Sequence, residues 1–229
     1  MKIGEWVLEN LKRFTYFEFQ STFDMSNKYV QDIAEIRQMM EKSSRFISLS
    51  GLSGIMAGIY ALIGAYIAWK LAYTSDQMIY GGQTIRNVWG NINYLILDAA
   101  GVFILTLITG IGLSVKKAKK HRVKSWDKTT QKLIINLFIP LVAGGILIIV
   151  LYLNGIVGLI APTTLIFYGL GLINASHYTY RDIRYLGLLE VALGLIASFV
   201  IGYGLLIWAI GFGLLHIVYG TLMYFKYDK

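Results

Sequence analysis

Six long apolar stretches constrain this chain more than any other feature of its sequence. They cover residues 47–69, 92–115, 133–153, 156–176, 185–203 and 205–225. Each has about the 20 residues that a helix needs to cross roughly 30 Å of hydrocarbon. Because lipid offers no hydrogen bonds to an exposed backbone, we expect each stretch to be helical. The sequence therefore predicts an all-α membrane protein with six transmembrane helices.

The composition agrees with this class. Of 229 residues, 56% are hydrophobic and only 15% are charged, which leaves too little polar surface to cover a water-soluble globule. We expect one transmembrane domain at residues 47–225, preceded by a cytoplasmic helical region at 1–46 and followed by a short cytoplasmic tail at 226–229. The net charge of +8 would suggest a nucleic-acid partner in a soluble protein. In a membrane protein the excess of positive charge is explained by the orientation of the chain in the bilayer, so no nucleic-acid partner is predicted.

The positive charges predict the orientation. If all six stretches cross, 19 of the 21 Lys and Arg residues lie on the side that holds both termini. Only Lys70 and Arg86 lie on the other side. Cytoplasmic loops carry the excess of Lys and Arg, so both termini are predicted to be cytoplasmic. Short loops and the lack of an exterior glycosylation sequon favour a multi-pass protein of a bacterial inner membrane.

Tight connections predict that the helices form three antiparallel hairpins. Asn154 and Gly155 join the third and fourth stretches, and Gly204 alone separates the fifth and sixth. Connections this short leave each pair of helices side by side. The first hairpin has a longer exterior loop, from Lys70 to Asn91.

Small residues and prolines within the stretches predict where helices meet or bend. Gly54 and Gly58 form a GxxxG pair in the first stretch, and the fifth stretch repeats this spacing with small residues at 194, 198 and 202. Such ridges let helix backbones approach closely in lipid. Pro140 and Pro162 lie within the third and fourth stretches, where each removes a backbone donor and is expected to bend its helix.

The region before the first stretch has two amphipathic patterns. Residues 1–20 place apolar side chains at steps of three and four, which is typical of an amphipathic helix. This helix is predicted to lie on the cytoplasmic leaflet or against the cytoplasmic face of the protein itself. A second pattern at 29–40 predicts either a solvated extension of the first transmembrane helix or a dimer contact. Met25 is an alternative start, which would make the first pattern dispensable.

Three ionisable residues lie inside the apolar stretches: Asp98, Glu190 and His216. A charge in the bilayer costs at least about 2.5 to 3.5 kcal/mol, so each side chain is expected to face protein or water, or to be neutral. At about 1.5 Å per residue, the three are staggered in depth as acid, imidazole and acid. They are therefore candidates for a proton or cation relay. The alternative is that they are structural, with the carboxylates reaching water near the interfaces and His216 bonded across a helix contact.

A basic loop follows the second stretch directly. It is composed of Lys116, Lys117, Lys119, Lys120, Arg122 and Lys124 with few other residues. Such a cluster attracts anionic headgroups by about 1 kcal/mol per cation near the surface. We expect it to anchor the loop at the cytoplasmic leaflet of the bilayer. A docking surface for an acidic partner is the alternative.

Catalytic motifs are missing from the sequence. It has no cysteine, which excludes disulfides and thiolate metal ligands, and it contains no HExxH, GxSxG or Walker pattern. No catalytic residue, metal site or cofactor is predicted, and an enzyme is disfavoured. The leading hypothesis is a small transporter or channel-like protein for an ion or small solute, acting as a homo-oligomer or with a membrane partner. The alternative is a non-catalytic scaffold or accessory subunit of a larger membrane complex.

Three short segments carry a resemblance to a known group. They are SSRF at residues 43–46, SGLSG at 50–54 and GFGLLH at 211–216. In these segments the chain resembles uncharacterised six-span inner-membrane proteins of Bacteroidota. The resemblance covers the membrane region and its cytoplasmic lead-in and implies the six-helix architecture. It implies no activity and no site residues.

The predicted orientation can be tested by labelling, because the native chain has no cysteine. Single cysteines are introduced at Gln77, on the predicted exterior, and at Ser125, on the predicted interior. An impermeant thiol reagent added to intact cells should modify the first and spare the second. The reverse pattern would overturn the orientation, and modification of both would show mixed insertion.

Overall fold

The computed structural model describes residues 32–33, 50–73, 86–120 and 126–228. The chain divides into two units, residues 1–44 and residues 45–229. In the first unit the described residues are Asp32 and Ile33, both helical. The two amphipathic patterns predicted before the first apolar stretch, and the alternative start at Met25, lie outside the described residues.

The described residues of the second unit form six helices. They are α1 at Gly51–Tyr73, α2 at Arg86–Lys120, α3 at Lys128–Leu153, α4 at Ile160–Ala175, α5 at Asp182–Phe199 and α6 at Gly204–Asp228. Short 3-10 turns, Val157–Leu159 and Ser176–Tyr178, flank α4. Two parts of α6, Ala209–Leu215 and Tyr224–Asp228, have π-helical hydrogen bonding.

Five of these helices are long and apolar enough to cross a membrane. They are α1, α2, α3, α4 with its flanking turns, and α6. The prediction of an all-helical membrane protein is confirmed to this extent. The exception within the described chain is α5, which has 18 residues and carries Asp182, Arg184 and Glu190.

The outward faces of the helices are apolar. The most apolar stretch of α2 has no residue buried within the protein, and in α3 the buried share is 6%. Large side chains such as Leu97 and Ile108, with 67% and 63% of their surface exposed, cover α2. Continuous apolar surface of this kind requires lipid or another protein to cover it.

A seam of glycines joins α1 to α6. A Cβ atom on Gly58 would lie 2.6 Å from the carbonyl oxygen of Gly213, and one on Gly54 would lie 3.1 Å from the Cα of Gly220. A Cβ on Gly220 itself would lie 2.5 Å from the backbone nitrogen of Ile55. The two helix backbones therefore approach so closely along this seam that a larger side chain does not fit between them, as the GxxxG pair predicts.

A second close contact joins α4 to α5. A Cβ on Gly169 would lie 2.6 Å from the carbonyl oxygen of Gly187, and one on Gly194 would lie 2.9 Å from that of Pro162. Helix α4 also packs against α3, and α5 packs against the first part of α6. From one edge to the other, α2 contacts α1, and α1 contacts α6. Helix α6 contacts α5 and α4, and α4 contacts α3 at the other edge.

One of the two tight connections differs in detail from the prediction. Gly155 has φ 74° and turns the chain after α3, as a glycine readily does. The turn between α5 and α6 involves residues 200–203, with φ 103° at Gly202, and Gly204 is the first residue of α6. Gly202 therefore serves the turn and not a helix-packing ridge.

Pro162 is the third residue of α4, where a missing N–H is tolerated, so the predicted bend in mid-helix is wrong there.

The glycine seam generates a test with a matched control. Replacing Gly220 by Ala puts a methyl group against backbone atoms of α1, which must then move away. We expect a loss of about 1–3 kcal/mol in unfolding free energy, measured by denaturation in mixed micelles. Gly112→Ala is the control, because a Cβ there meets no described atom within 4 Å. Equal stability of the two variants would contradict the close contact.

Candidate functional site

His216 lies at the centre of a buried polar group in α6. It follows the π-helical part Ala209–Leu215 directly, and 6% of its surface is exposed. Its Nδ1 lies 3.1 Å from the carbonyl oxygen of Gly211, five residues earlier. Its Nε2 lies 2.8 Å from the hydroxyl oxygen of Tyr168 in α4. π-Helical turns are frequent at functional sites.

The hydrogen bonds assign the imidazole tautomer. A carbonyl oxygen only accepts, so Nδ1 of His216 carries a proton and donates it to Gly211. In the neutral ring Nε2 is then the acceptor, and the Tyr168 hydroxyl donates to it. Both ring nitrogens are satisfied without water.

Glu190 in α5 lies against the same ring. Its Oε1 is 3.4 Å from Nδ1 of His216, and the residue has no exposed surface. Neither carboxyl oxygen makes a hydrogen bond of good geometry with the described residues. A buried polar group without partners is costly, and a carboxylate more than any other. The exception calls for a functional explanation.

Gly211 makes room for this carboxyl group. A Cβ on Gly211 would lie 2.6 Å from Oε2 of Glu190 and 2.6 Å from a methyl carbon of Leu165. Leu165 is fully buried. The acid is thus enclosed by α6 and by an apolar side chain of α4, with His216 as its polar neighbour.

The enclosure limits the charge states of the pair. An ionised Glu190 beside a neutral His216 would leave one negative charge in an apolar interior. Either a neutral acid beside a neutral ring or a carboxylate beside an imidazolium keeps the pair neutral overall. The apolar interior therefore favours a pair that holds two protons. One is bound at Nδ1 of His216, and the other is either on Glu190 or on Nε2 of His216.

The hydroxyl groups inside the helices behave differently from Glu190. Each donates to a backbone carbonyl three or four residues earlier in its own helix, as is common in membrane helices. This holds for Thr109, Thr163, Thr164, Ser198 and Thr221. Local bonding satisfies these residues, so they do not indicate a site.

A cavity of about 570 Å³ lies beside His216. Residues from α1, α2, α3, α4 and α6 line it, and most of them are apolar. Tyr168 and His216 form part of its wall. Asp98 of α2 also lines it, with its carboxylate beside Gly64 of α1. The volume falls within the range of small-molecule sites.

The structure thus brings the three predicted ionisable residues into one region. Glu190 and His216 are in contact, and Asp98 shares a cavity with His216. Whether they act as a relay remains a prediction. Sequence reasoning did not identify Tyr168 as a partner of His216. A tyrosine in an apolar helix is ordinary, and only the fold shows which residue its hydroxyl meets.

The basic loop is only partly described. Lys116, Lys119 and Lys120 are exposed at the end of α2, and Arg122 and Lys124 lie outside the described residues. Lys117 differs, because its ammonium pairs with Asp228 and 9% of its side chain is exposed. Its charge is thus used within the protein, and the prediction that it contacts headgroups does not fit this placement.

Asp228 ties together one end of the helix bundle. It accepts hydrogen bonds from the hydroxyl of Ser50 at 3.1 Å and from the backbone nitrogen of Gly51 at 2.9 Å, which caps α1. With Lys117 bound as well, the start of α1 and the ends of α2 and α6 meet here.

A neighbouring group joins α5 to the end of α6. Lys226 and Tyr227 donate to Asp182 at 2.9 and 2.8 Å. Burial alone would raise the pKa of Asp182, but these two hydrogen bonds outweigh it and the pKa lies below its ordinary value. The ring of Tyr180 stacks on Tyr227 at 3.9 Å between centroids. Burial and the nearby carboxylate of Asp228 raise the pKa of Tyr180 to about 12.

The described residues contain no group of three or more His, Cys, Asp or Glu that could hold a metal ion. Comparison with models of known protein families, with curated proteins and with solved structures finds no match to this chain. The resemblance to Bacteroidota membrane proteins therefore remains a prediction from the short segments alone.

The contact between Tyr168 and His216 generates a stability test. Tyr168→Phe removes the hydroxyl and leaves a buried ring nitrogen without its partner. We expect a loss of about 1–3 kcal/mol in unfolding free energy. Tyr94→Phe is the control, because 60% of that residue is exposed. A Tyr168→Phe protein as stable as the control would show that the bond contributes nothing.

Proposed function

We propose that the protein is a small membrane transporter or channel-like protein for an ion or small solute, with Glu190 and His216 as its proton-binding pair. One observation carries the proposal: the fully buried Glu190 meets a titratable ring and no hydrogen-bond donor of good geometry among the described residues. Ionisable residues inside membrane helices are expensive and mark ion or substrate pathways.

The contacts offer a route for a proton between Glu190 and the cavity. When Glu190 is ionised and His216 is neutral, a proton taken up at Nε2 lets the ring give up the proton at Nδ1 to Oε1 of Glu190, which lies 3.4 Å away. Tyr168 lines the cavity and contacts Nε2 through its hydroxyl, which can receive and donate a proton. Every step moves a proton between neighbouring atoms, and the uptake ends with a neutral acid beside a neutral ring that carries its proton at Nε2. Return of the ring to its Nδ1 tautomer then resets the path.

The membrane arrangement that we propose has six crossings, with α5 as the sixth crossing helix. Its interior charge, Glu190, faces protein, and Asp182 and Arg184 lie in its first turn. The meeting of the start of α1 with the ends of α2 and α6 supports an even number of crossings. With the distribution of Lys and Arg, this favours cytoplasmic termini and a bacterial inner membrane.

The alternative is an accessory subunit or scaffold of a larger membrane complex. The apolar faces of α2 and α3 are largely uncovered by the described protein, and helices of a partner protein could cover them in place of lipid. This observation favours the accessory subunit. In that case Glu190 and His216 serve only to orient α5 against α6.

Flux measurements separate the two functions. Purified protein is reconstituted into liposomes that contain a pH-sensitive dye, and a pH step is applied under a potassium clamp. The wild type should conduct protons, and Glu190→Gln should abolish this flux while the fold is kept. The amide has the shape of the acid and is easier to bury than a carboxylate, but it cannot bind the proton.

Asp182→Asn is the matched control, because it removes a carboxylate of the same helix outside the buried pair. It should conduct like the wild type. Wild-type liposomes without proton, cation or small-solute flux over a broad pH range would contradict transport and favour the accessory subunit.

A further inference from the structure

The cavity beside His216 combines an apolar body with a single acidic group. Helix α1 contributes small residues, among them Ala61, Gly64 and Ala65, and these leave the space that larger side chains would fill. Asp98 is the carboxylate among the described lining residues. A ligand that fills this space must match one negative charge in largely apolar surroundings.

Aromatic rings form the wall on the α6 side. The rings of Trp208 and Phe212 lie 4.9 Å apart, and those of Phe212 and Tyr168 lie 4.8 Å apart. All three residues line the cavity. These rings offer a broad apolar surface against which the body of a ligand can pack.

We propose that this cavity binds an organic monocation, an ammonium group attached to an apolar body, with the ammonium at Asp98 and the body against Trp208 and Phe212. The cation pairs with the carboxylate, and the body covers the alanine and glycine surface of α1. The proposed binding does not require the proposed transport function. Only the further step of taking this cation as the transported substrate rests on that function.

Charge complementarity favours a cation over the other occupants of an apolar cavity. A lipid acyl chain would fill the space but would bring no positive charge to Asp98, and the described lining residues include no lysine or arginine. An organic anion would be repelled by Asp98. A neutral apolar molecule has the same disadvantage as the acyl chain, because a carboxylate in largely apolar surroundings pairs best with a positive charge.

The probe is 4-phenylbutylammonium, titrated by calorimetry into the full-length protein in mild detergent, with detergent alone as the blank. The matched probe is 4-phenylbutan-1-ol, which has the same body and no charge. We expect the ammonium to bind at least about tenfold more tightly than the alcohol. Equal affinity would show an apolar site that ignores charge and would overturn the proposal.

Two variants test the site from different sides. Asp98→Asn should weaken ammonium binding by about tenfold or more and leave the alcohol unchanged. Gly145→Leu should abolish binding of the ammonium, because Gly145 lines the cavity and a Cβ there meets no described atom within 4 Å. The first carbon of the added side chain displaces no described neighbour.

Each variant has a control. Gly110→Leu makes the same change at a site that is equally open but does not line the cavity, and Asp182→Asn removes a carboxylate elsewhere. Both should bind the ammonium like the wild type. Binding that survives Gly145→Leu would show that the ligand sits elsewhere, and this result does not depend on whether Asp98→Asn folds.

Binding and flux separate this inference from the proposed function. Proton flux in wild-type liposomes without ammonium binding would overturn the inference and leave the function standing. Ammonium binding that depends on Asp98, in liposomes without any flux, would support the site and count against transport.

Discussion

The contact between Glu190 and His216 depends on how closely the helices approach one another, and the rest of the site depends on that contact. Gly211 has no side chain, so the carboxyl group of Glu190 fits beside α6 at a distance that a Cβ would block. The π-helical turn at Ala209–Leu215 ends at His216 and coincides with the bond from its ring to Gly211. The result is an imidazole with two hydrogen bonds held against an acid that has none of good geometry among the described residues.

Close approach also organises the bundle as a whole. The glycine seam between α1 and α6, at Gly54, Gly58 and Gly220, brings α1 to one side of α6. The contact between Gly169 and Gly187 pairs α4 with α5. In lipid, apolar helices gain little from hiding apolar surface, so packing at short distance supplies the stability. The cavity forms where large side chains are missing between these pairs, and the polar atoms of Tyr168 and His216 reach its wall.

The parts that could be predicted from the sequence are those that depend on residue type alone. Uninterrupted apolar length located the helices, five of which are long and apolar enough to cross a membrane. The bounds agree within three residues for α6, whereas α3 begins five residues before its predicted start. The rarity of charge in apolar stretches singled out Asp98, Glu190 and His216. The GxxxG pair at Gly54 and Gly58 indicated a helix contact that the structure contains.

Other features of the site depend on which helices are neighbours, and these neighbours cannot be inferred from a single sequence. Nothing in the spacing of Tyr168 shows that its hydroxyl reaches His216 in another helix. The pairing of Lys117 with Asp228 joins residues far apart in the chain, so a lysine from a basic loop is used internally. The π-helical turn before His216 has no local signal either, because its residues would equally suit a regular helix.

Infrared difference spectroscopy tests most directly whether Glu190 exchanges a proton while the protein stays folded. Spectra of the wild type at two pH values should differ by the carbonyl band of a protonated carboxylic acid in an apolar environment. This band should disappear in Glu190→Gln and remain in Asp182→Asn. If no titrating band is lost in Glu190→Gln at any pH at which the protein is folded, Glu190 does not exchange protons and the account is wrong.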